Sequence, residues 1–370
     1  MLLLFAVLLA SPALSGCNTT ASPEPAAEQP ATTPPITDEP EPAPVLPSST
    51  SEPEPTPATA PAMIAPEPEI TMTPEPLPET APEPETTPST EPQEVIRLYY
   101  YGASSIGSDP AALPGEHCVY SATSSDGIKF TEDAGVRLAY DTGAEFGIVD
   151  PDIVRLNDGS WLMLVGKVPH YLMKATAADS TGDFTIDESF NWSKGSTPDA
   201  FNFDGTVRAF TGYQNGIHAG TYDQESGTLK YTGVAIRPPS AGLLADPSVI
   251  QVGNEYLMFY KYQDSPSAPP PDHEIYVSTS LDGITWTQHP DNRYVCNGSV
   301  PGAVYYAGTI YVYFCGGGGR PGSSRGDMGV AVSDDSGATF ALSTITVAGK
   351  QAPGIVDPAA TVVSTAEPAP

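Results

Sequence analysis

The first 96 residues of this 370-residue chain contain no lysine, arginine or histidine, and the first basic residue is Arg97. In the whole chain, 15 basic residues stand against 45 acidic ones, which gives a net charge of −30 at pH 7. Nucleic acid is not expected as a partner, because binding to phosphates needs clustered basic residues. Cysteine is also scarce, at four residues, and no cysteine–histidine spacing typical of a zinc site is present. The composition therefore argues against nucleic-acid binding and against a zinc-stabilised domain.

No apolar run is long enough to span a bilayer, and the apolar segment 1–13 ends in small residues. Residues 1–16 are therefore predicted to be a signal peptide. The sequence Leu14-Ser-Gly-Cys17 resembles the bacterial lipobox, which implies that Cys17 carries the lipid and begins the mature protein. An ordinary signal peptide with an incidental cysteine is the alternative. A lipoprotein would be held in the cell envelope, surface-exposed or periplasmic, and at the outer membrane in a diderm, touching the membrane through its lipid alone.

Residues 17–94 are rich in proline, glutamate and threonine, and they hold 15 of the 45 acidic residues. Such a segment cannot bury enough apolar surface to offset its conformational entropy, so it is predicted to be a disordered linker. Frequent proline and repelling glutamates favour an extended chain that holds a domain away from the membrane. A disordered tail is also predicted at 364–370.

A strand-like motif that contains an X-Pro pair recurs through the rest of the chain. Its five copies centre on Pro151, Pro198, Pro247, Pro301 and Pro358. A repeat of roughly 50 residues that contains only strand-like material is typical of propeller blades. Residues 95–363 are therefore predicted to form an all-β, five-bladed β-propeller. Its ring is expected to close by pairing of the strand at 97–101 with the strand after Asp357.

A second repeated feature lies between later strands of the blades. Its copies run Ser124–Phe130, Ser280–Trp286 and Ser333–Phe340. They resemble the Asp-box of sialidases, and this resemblance implies that the aspartate closes a hairpin turn through backbone hydrogen bonds. The motif is structural, so no catalytic role is predicted for it.

Five blades that open on Asp-Pro strands resemble the arabinanase, β-xylosidase, levansucrase and invertase group of glycoside hydrolases. The resemblance covers 95–363 and implies that Asp150, Asp246 and Asp357 are catalytic carboxylates at the axis. It also implies an acidic Glu at such a position, but none is present, and Glu274 or Glu116 is the best substitute. The alternative is structural, because an aspartate before proline often accepts backbone N–H groups.

Further polar residues are expected at the same end of the propeller. Histidines precede or begin the third strands, where they would bind sugar hydroxyls, ligate a metal or act as a general acid. Two arginines lie in a glycine-rich loop, where they would bind a carboxylate of the sugar or remain solvated. The predicted substrate-binding residues are His117, His170, His218, His273, Trp161, Arg320 and Arg325. No metal ligands are assigned, although Ca²⁺ in the axial cavity is a possibility that the resemblance raises.

The three cysteines after Cys17 allow one disulfide at most. Cys296–Cys315 is the best candidate pair, and buried free thiols are the alternative. Two functions follow from these observations, both for a monomer that acts on a polysaccharide or oligosaccharide. One is a glycoside hydrolase, and the other is a non-catalytic carbohydrate-binding or adhesive propeller.

Overall fold

The computed structural model describes residues 92–102, 118–139, 148–167, 171–265, 272–316, 328–351 and 354–365. The chain divides into two units, Met1–Glu83 and Pro84–Pro370, and every described residue belongs to the second. The predicted signal peptide, Cys17 and nearly all of the predicted linker lie outside the described residues. Within the described ranges, no helix has the length and apolarity that a membrane span requires.

The described part of the chain forms 21 β-strands and no α-helix, so the all-β prediction is confirmed. The strands are β1 (Glu94–Tyr101), β2 (Cys118–Ser124), β3 (Lys129–Glu132), β4 (Leu138–Ala139), β5 (Ile148–Arg155), β6 (Trp161–Lys167), β7 (Tyr171–Ala177), β8 (Thr185–Trp192), β9 (Ser196–Phe203), β10 (Thr206–Tyr213), β11 (Gly216–Asp223), β12 (Thr228–Ile236), β13 (Leu243–Val252), β14 (Glu255–Gln263), β15 (Glu274–Ser280), β16 (Arg293–Tyr306), β17 (Thr309–Gly316), β18 (Met328–Ser333), β19 (Ala341–Thr344), β20 (Thr346–Ala348) and β21 (Val356–Ser364).

These strands form four sheets, in which all pairs are antiparallel except β20 with β3. Two sheets have four strands, in the orders β5-β6-β7-β8 and β9-β10-β11-β12. A third follows the order β20-β3-β2-β1-β21, with β4 beside β2, so the first described strand pairs with the last. The fourth has seven strands, from β13 to β19. Its long strand β16 pairs with β15 through residues 293–297 and with β17 through residues 298–306, and therefore belongs to two antiparallel units.

Five strands that carry the repeated X-Pro pair form the inner part of the fold. Strand β21 contacts β5, β5 contacts β9, β9 contacts β13, β13 contacts β16, and β16 contacts β21. The apolar core lies between successive antiparallel units as separate clusters of buried side chains. Repeated antiparallel units around contacting inner strands are the architecture of a β-propeller.

Short turns join several neighbouring strands, and their residue types explain how. The turn Asp204-Gly205 joins the inner strand β9 to β10, and the turn Ala307-Gly308 joins the inner strand β16 to β17. All four residues have positive φ. Two positive φ angles define the type I′ turn, whose twist matches that of a hairpin. These turns lie at the end of the sheets opposite the X-Pro pairs, because the inner strands run from those pairs toward them.

The aspartates of the second repeated motif hold their turns through backbone hydrogen bonds. Asp126 Oδ1 accepts from the amides of Ile128 and Lys129. Asp282 Oδ1 accepts from Ile284 and Thr285 in the same way. Backbone hydrogen bonds are the main reason that the pKa of Asp282 falls to about 2. These carboxylates therefore stabilise the fold, and they do so in the ionised form.

All three cysteines of the described residues are buried free thiols, so the predicted Cys296–Cys315 disulfide is wrong. The two side chains belong to different apolar clusters. Cys296 packs with Ile275 and Phe314, whereas Cys315 packs with Val356 beside the axis. The alternative interpretation, buried thiols, is the one that the structure supports.

Candidate functional site

The residue before each repeated proline has an unusual backbone conformation. The φ angles are 49° for Asp150, 52° for Thr197, 53° for Asp246, 52° for Val300 and 52° for Asp357. The left-handed region is rare for residues other than glycine, and especially so for a β-branched residue. Each such residue costs about 1–3 kcal/mol, so the surrounding structure has to hold it in place. We refer to these five residues as the axial ring.

A β-bulge accompanies each member of the axial ring. The register of the inner strand shifts at the X-Pro pair in all five cases, for example between Val149 and Asp152 and between Ala245 and Ser248. A bulge leaves a residue outside the ladder and re-aims its side chain. Consequently, Asp150 and Asp246 line one axial cavity together with the repeated prolines.

The residue after the proline has a separate, structural role. Asp152 accepts a hydrogen bond of 2.6 Å from the amide of Ala200, and Asp199 accepts one of 3.0 Å from Val249. Ser248 accepts one of 2.9 Å from the amide of Ala303. Each bond links one inner strand to the next. The residues that follow the prolines therefore make more of the side-chain hydrogen bonds between neighbouring inner strands than the residues of the axial ring do.

The three carboxylates of the axial ring have few backbone partners. Among the described residues, the one backbone hydrogen bond to any of them runs from the amide of Asp150 to Asp357 Oδ2, at 3.4 Å. Asp246 is 4% exposed, and its Oδ1 has no hydrogen-bond partner in the described part of the chain. Since Thr197 and Val300 adopt the same backbone without a carboxylate, this conformation does not require one.

A buried lysine supplies a positive charge to the ring. Lys261 Nζ lies 2.6 Å from Asp246 Oδ2, and the two groups form a buried ion pair. Burial lowers the pKa of Lys261, but the charges of Asp246, Asp150 and Asp357 outweigh it and leave the pKa raised. The ammonium therefore stays protonated at all physiological pH values.

Two carboxyl groups of the ring, those of Asp150 and Asp357, hold protons unusually tightly. Burial raises the pKa of Asp150 well above its usual range, and the charges of Asp357 and Asp246 raise it further, against the opposing effect of Lys261. Burial and the Asp246 charge also raise the pKa of Asp357 to about 6. A protonated carboxyl beside an ionised one is the arrangement that general acid–base catalysis uses.

Two further aspartates below the ring also titrate abnormally. Burial raises the pKa of Asp152 to about 7, and it raises that of Asp199 well above the usual range, with a further contribution from the Asp152 charge. Asp199 Oδ2 is buried without a hydrogen-bond partner in the described residues. Their strand-linking hydrogen bonds account for their presence.

The axial cavity that the described residues form is narrow. It has room of about 10 Å³, which is close to the space that one water molecule needs. Asp150 is the most accessible of the three ring aspartates, since Asp246 and Asp357 are 4% and 6% exposed. A ligand would therefore meet Asp150 first.

The structure does not bring Glu274 to this cavity. Glu274 begins β15 and accepts a hydrogen bond of 3.1 Å from the hydroxyl of Tyr276. It is absent from the residues that line the axial cavity. Its predicted role as the missing acid stays a prediction, and Glu116 lies outside the described residues.

Two of the predicted histidines are buried and engaged. His218 Nδ1 lies 3.0 Å from the hydroxyl of Tyr231, and burial lowers the pKa of His218. His273 Nδ1 lies 3.2 Å from the hydroxyl of Ser299, the residue before Val300 of the ring. The remaining predicted binding residues at the rim, His117, His170, Arg320 and Arg325, lie outside the described residues.

Trp161 was predicted to bind substrate, and this prediction is wrong. Its side chain is 2% exposed and packs in an apolar core cluster. Trp161 begins β6 and pairs with Arg155, whereas the ring end of that hairpin is where Gly166 pairs with Val149. The tryptophan therefore lies at the opposite end of the sheet from Asp150.

No group of three or more His, Cys, Asp or Glu side chains in the described ranges is arranged to hold a metal ion. Among the described residues, the positive charge that interacts with the ring aspartates is that of Lys261. Ca²⁺ in the axial cavity stays an untested expectation.

Sequence reasoning missed Lys261, although the sequence carried a signal for it. Lys261 lies between Tyr260 and Tyr262 in β14, a strand in which most side chains are buried. A charge in such a strand needs a buried partner, and Asp246 on the adjacent strand is the nearest candidate. Cys315 was also missed as a neighbour of the ring, where its Sγ accepts a hydrogen bond of 3.2 Å from the amide of Asp357.

Comparisons with known proteins identify the fold. No protein-family model matches the chain, and no curated protein matches its sequence. Among solved structures, an endo-1,4-β-xylanase from Bacteroides thetaiotaomicron is similar, with a TM-score of 0.50 and 12% identity. That alignment covers 67% of this chain and 98% of the xylanase. At this identity, the likeness establishes a common fold.

Two other similar structures are an exo-1,5-α-L-arabinanase from a bovine ruminal metagenomic library and an α-L-arabinofuranosidase from Fusarium graminearum. The arabinanase has a TM-score of 0.46 and 13% identity, over 68% of this chain and 93% of its own. The arabinofuranosidase has a TM-score of 0.40 and 14% identity, over 54% of this chain. The chain covers 66% of the arabinofuranosidase, slightly less than two thirds of its length.

Proposed function

We propose that residues 95–363 form a five-bladed β-propeller that closes by pairing of β1 with β21. The cycle of contacts among β21, β5, β9, β13 and β16 supports this count, because each of these strands would be the innermost strand of one blade. The two halves of β16 then belong to two successive blades. Closure by strands from both chain ends would leave no open edge between the first and last blades.

The function that this site supports best is carbohydrate processing, with glycoside hydrolysis at the axial ring. One observation carries the proposal, namely that three aspartates, of which Asp246 and Asp357 are buried and Asp150 is half-buried, meet at one end of the axis in three different electrostatic environments. Asp246 is paired with Lys261, burial and the Asp246 charge raise the pKa of Asp357 to about 6, and burial raises the pKa of Asp150 well above its usual range. Glycoside hydrolysis needs one carboxyl that is protonated and one that is ionised.

These environments divide the chemical roles. Asp150, the most accessible, is the general acid that protonates the leaving glycosidic oxygen. Asp246, the ionised partner of Lys261, takes the proton of the attacking water or stabilises the positive charge that develops on the sugar ring. Asp357 modulates both through its charge. This assignment supplies an acid from within the ring, where the resemblance implies a glutamate.

The test is sugar release from a panel of polysaccharides and aryl-glycosides that includes xylan and arabinan. Wild type is compared with Asp150→Asn and Asp246→Asn, and with Val300→Thr as the matched control at an equivalent backbone position. Release by wild type and by the control, with loss of at least a hundredfold in both aspartate variants, is expected. Equal release by wild type and Asp150→Asn would refute the assignment.

A non-catalytic carbohydrate-binding or adhesive propeller is the second candidate. The narrowness of the axial cavity favours it, because about 10 Å³ holds no sugar ring. Retention of the protein on one of the same polysaccharides, without release by any preparation, would favour this function over hydrolysis.

We further propose that the domain acts in a bacterial cell envelope, carried by a lipid on Cys17 and by the proline-rich segment 17–94. The lipobox resemblance and the composition of that segment support this location. Mass spectrometry of the mature protein tests it, because a diacylglyceryl group on Cys17 is expected at the new N-terminus.

A further inference from the structure

A second layer of five equivalent positions lies on the strands that pair with the five inner strands. Each position is on the second strand of a unit and pairs with a residue just before the ring, as Gly166 pairs with Val149 and Lys261 with Ala245. The five residues are Tyr101, Gly166, Gly212, Lys261 and Cys315. The fold therefore accepts very different side chains at this position, and it requires no charge there.

Space at this layer is tight, which makes a lysine unexpected. A Cβ on Gly212 would come within 2.9 Å of Thr197 Oγ1, and one on Gly166 within 3.2 Å of the carbonyl oxygen of Val149. In contrast, the Lys261 side chain is 14% exposed and reaches Asp246 Oδ2 at 2.6 Å. Lys261 is the one charged side chain among these five positions, and this charge indicates a purpose specific to its unit.

Lys261 distinguishes Asp246 from the other two ring aspartates. Asp357 has Cys315 as its neighbour, with Sγ 3.2 Å from its amide and 3.9 Å from Oδ1. Asp150 has no counter-ion within the ion-pair distance among the described residues. The three aspartates thus share one backbone conformation and differ in what the second layer places beside them.

We propose that Lys261 is a positioning residue of the axial site, whose ammonium holds Asp246 as the ionised carboxylate and leaves the proton of the site on Asp150 and Asp357. This inference rests on the proposed function for its catalytic meaning. The titratable groups that face Lys261 and its partner are Asp246 from β13, Asp150 from β5, Asp357 from β21 and Cys315 from β17.

The physical reason is that a buried carboxylate without a counter-ion takes up a proton instead. Without Lys261, Asp246 would be a buried carboxylate without a counter-ion and would take up a proton more readily, and the site would lose the ionised carboxylate that catalysis needs beside a protonated one. Direct attraction across 2.6 Å in a buried setting is large enough to decide between these states. A lysine that only stabilised the fold would change the protonation of Asp246 on removal without moving the pH dependence of catalysis, so the kinetic readout below separates the two roles.

The test is a carboxyl titration of the whole protein, labelled with ¹³C at aspartate side chains and followed by NMR from pH 4 to 9. Asp150→Asn, Asp246→Asn and Asp357→Asn variants assign the three ring signals. In Lys261→Met, the Asp246 signal is expected to titrate at least one pH unit higher than in wild type, and Lys261→Arg is expected to restore it. Unchanged titration of Asp246 in a folded Lys261→Met protein would overturn the proposal.

A second comparison applies if Lys261→Met does not fold. Removing both partners leaves no unpaired buried charge, so Asp246→Asn with Lys261→Met is expected to fold. The Asp150 and Asp357 signals should titrate at least half a unit higher in this double variant than in Asp246→Asn alone, because Lys261 also attracts their charges. Identical titration in the two proteins would refute a role for Lys261.

The titration contains no substrate, so its outcome is separate from that of the proposed function. If wild type releases no sugar, hydrolysis fails while the titration still decides whether Lys261 sets the protons. If sugar is released, the acidic limb of kcat/KM against pH should move upward in Lys261→Met by the same amount as the Asp246 signal. A fall in rate without movement of that limb would count against the positioning role.

Discussion

Replacement of Asp357 by asparagine is expected to stabilise the protein at pH 7.5, although it removes a carboxylate of the proposed site. Burial and neighbouring charge raise the pKa of Asp357 to about 6 in the folded state. The pKa of an aspartate in an unfolded chain is about 3.9. Because the folded state binds this proton more tightly, the carboxyl stabilises the fold at pH values below its pKa in the unfolded chain. This contribution is lost as the pH rises through its pKa in the folded protein.

The magnitude follows from the difference between the two pKa values. About two units correspond to about 3 kcal/mol of stability at neutral pH. Asparagine resembles the protonated carboxyl in shape and cannot ionise, so it avoids the cost of burying the charge. The free energies of unfolding of wild type and Asp357→Asn should therefore be similar near pH 4, and the variant should be about 2–3 kcal/mol more stable at pH 7.5.

Urea unfolding at pH 4, 6 and 7.5 measures this directly, because urea adds no salt that would screen the charges. Asp282→Asn is the matched control, since its carboxylate accepts backbone amides and its pKa is lowered. That variant should be less stable than wild type at neutral pH, the opposite sign. A loss of stability in Asp357→Asn at pH 7.5 would refute the reasoning and make the ring aspartates scaffold groups.

Three further outcomes are expected. Gly302→Ala should lower the free energy of unfolding by about 1–3 kcal/mol, because its Cβ would lie 2.2 Å from the carbonyl oxygen of Pro358; unchanged urea unfolding would contradict the close packing of these strands. Buried thiols should resist alkylation in the native protein and react fully in urea without reductant, as mass spectrometry would show; a pair that needs reductant would contradict the free state. These thiols are Cys118, Cys296 and Cys315. Sugar release should fall at high pH, because Asp150, whose pKa is raised, then loses its proton. A rate that stays level to pH 10 would exclude Asp150 as the acid.

Sequence periodicity predicted the inner strands well because a proline in a β-strand demands a special position. The repeated X-Pro pairs could serve as landmarks since proline cannot donate a ladder hydrogen bond, and a bulge meets that constraint. The recurrence of this pair at intervals of roughly 50 residues then placed Asp150, Asp246 and Asp357 at one level of the axis. This placement needed no knowledge of side-chain packing.

Predictions that depended on the direction of a side chain were less successful. Trp161 lies at the far end of its strand, which composition alone does not reveal. The Cys296–Cys315 pairing failed because the two thiols pack into different apolar clusters. Lys261 was overlooked because a lysine near a strand end normally reaches solvent, and its burial depends on packing from several units at once.

The central claim is that the axial aspartates cleave a glycosidic bond, and the most direct test is reducing-sugar release by wild type beside Asp150→Asn. We expect release from at least one polysaccharide by wild type and a loss of at least a hundredfold in the variant, with normal urea unfolding. Release that survives in Asp150→Asn, or its absence from wild type across the whole panel, would contradict the account.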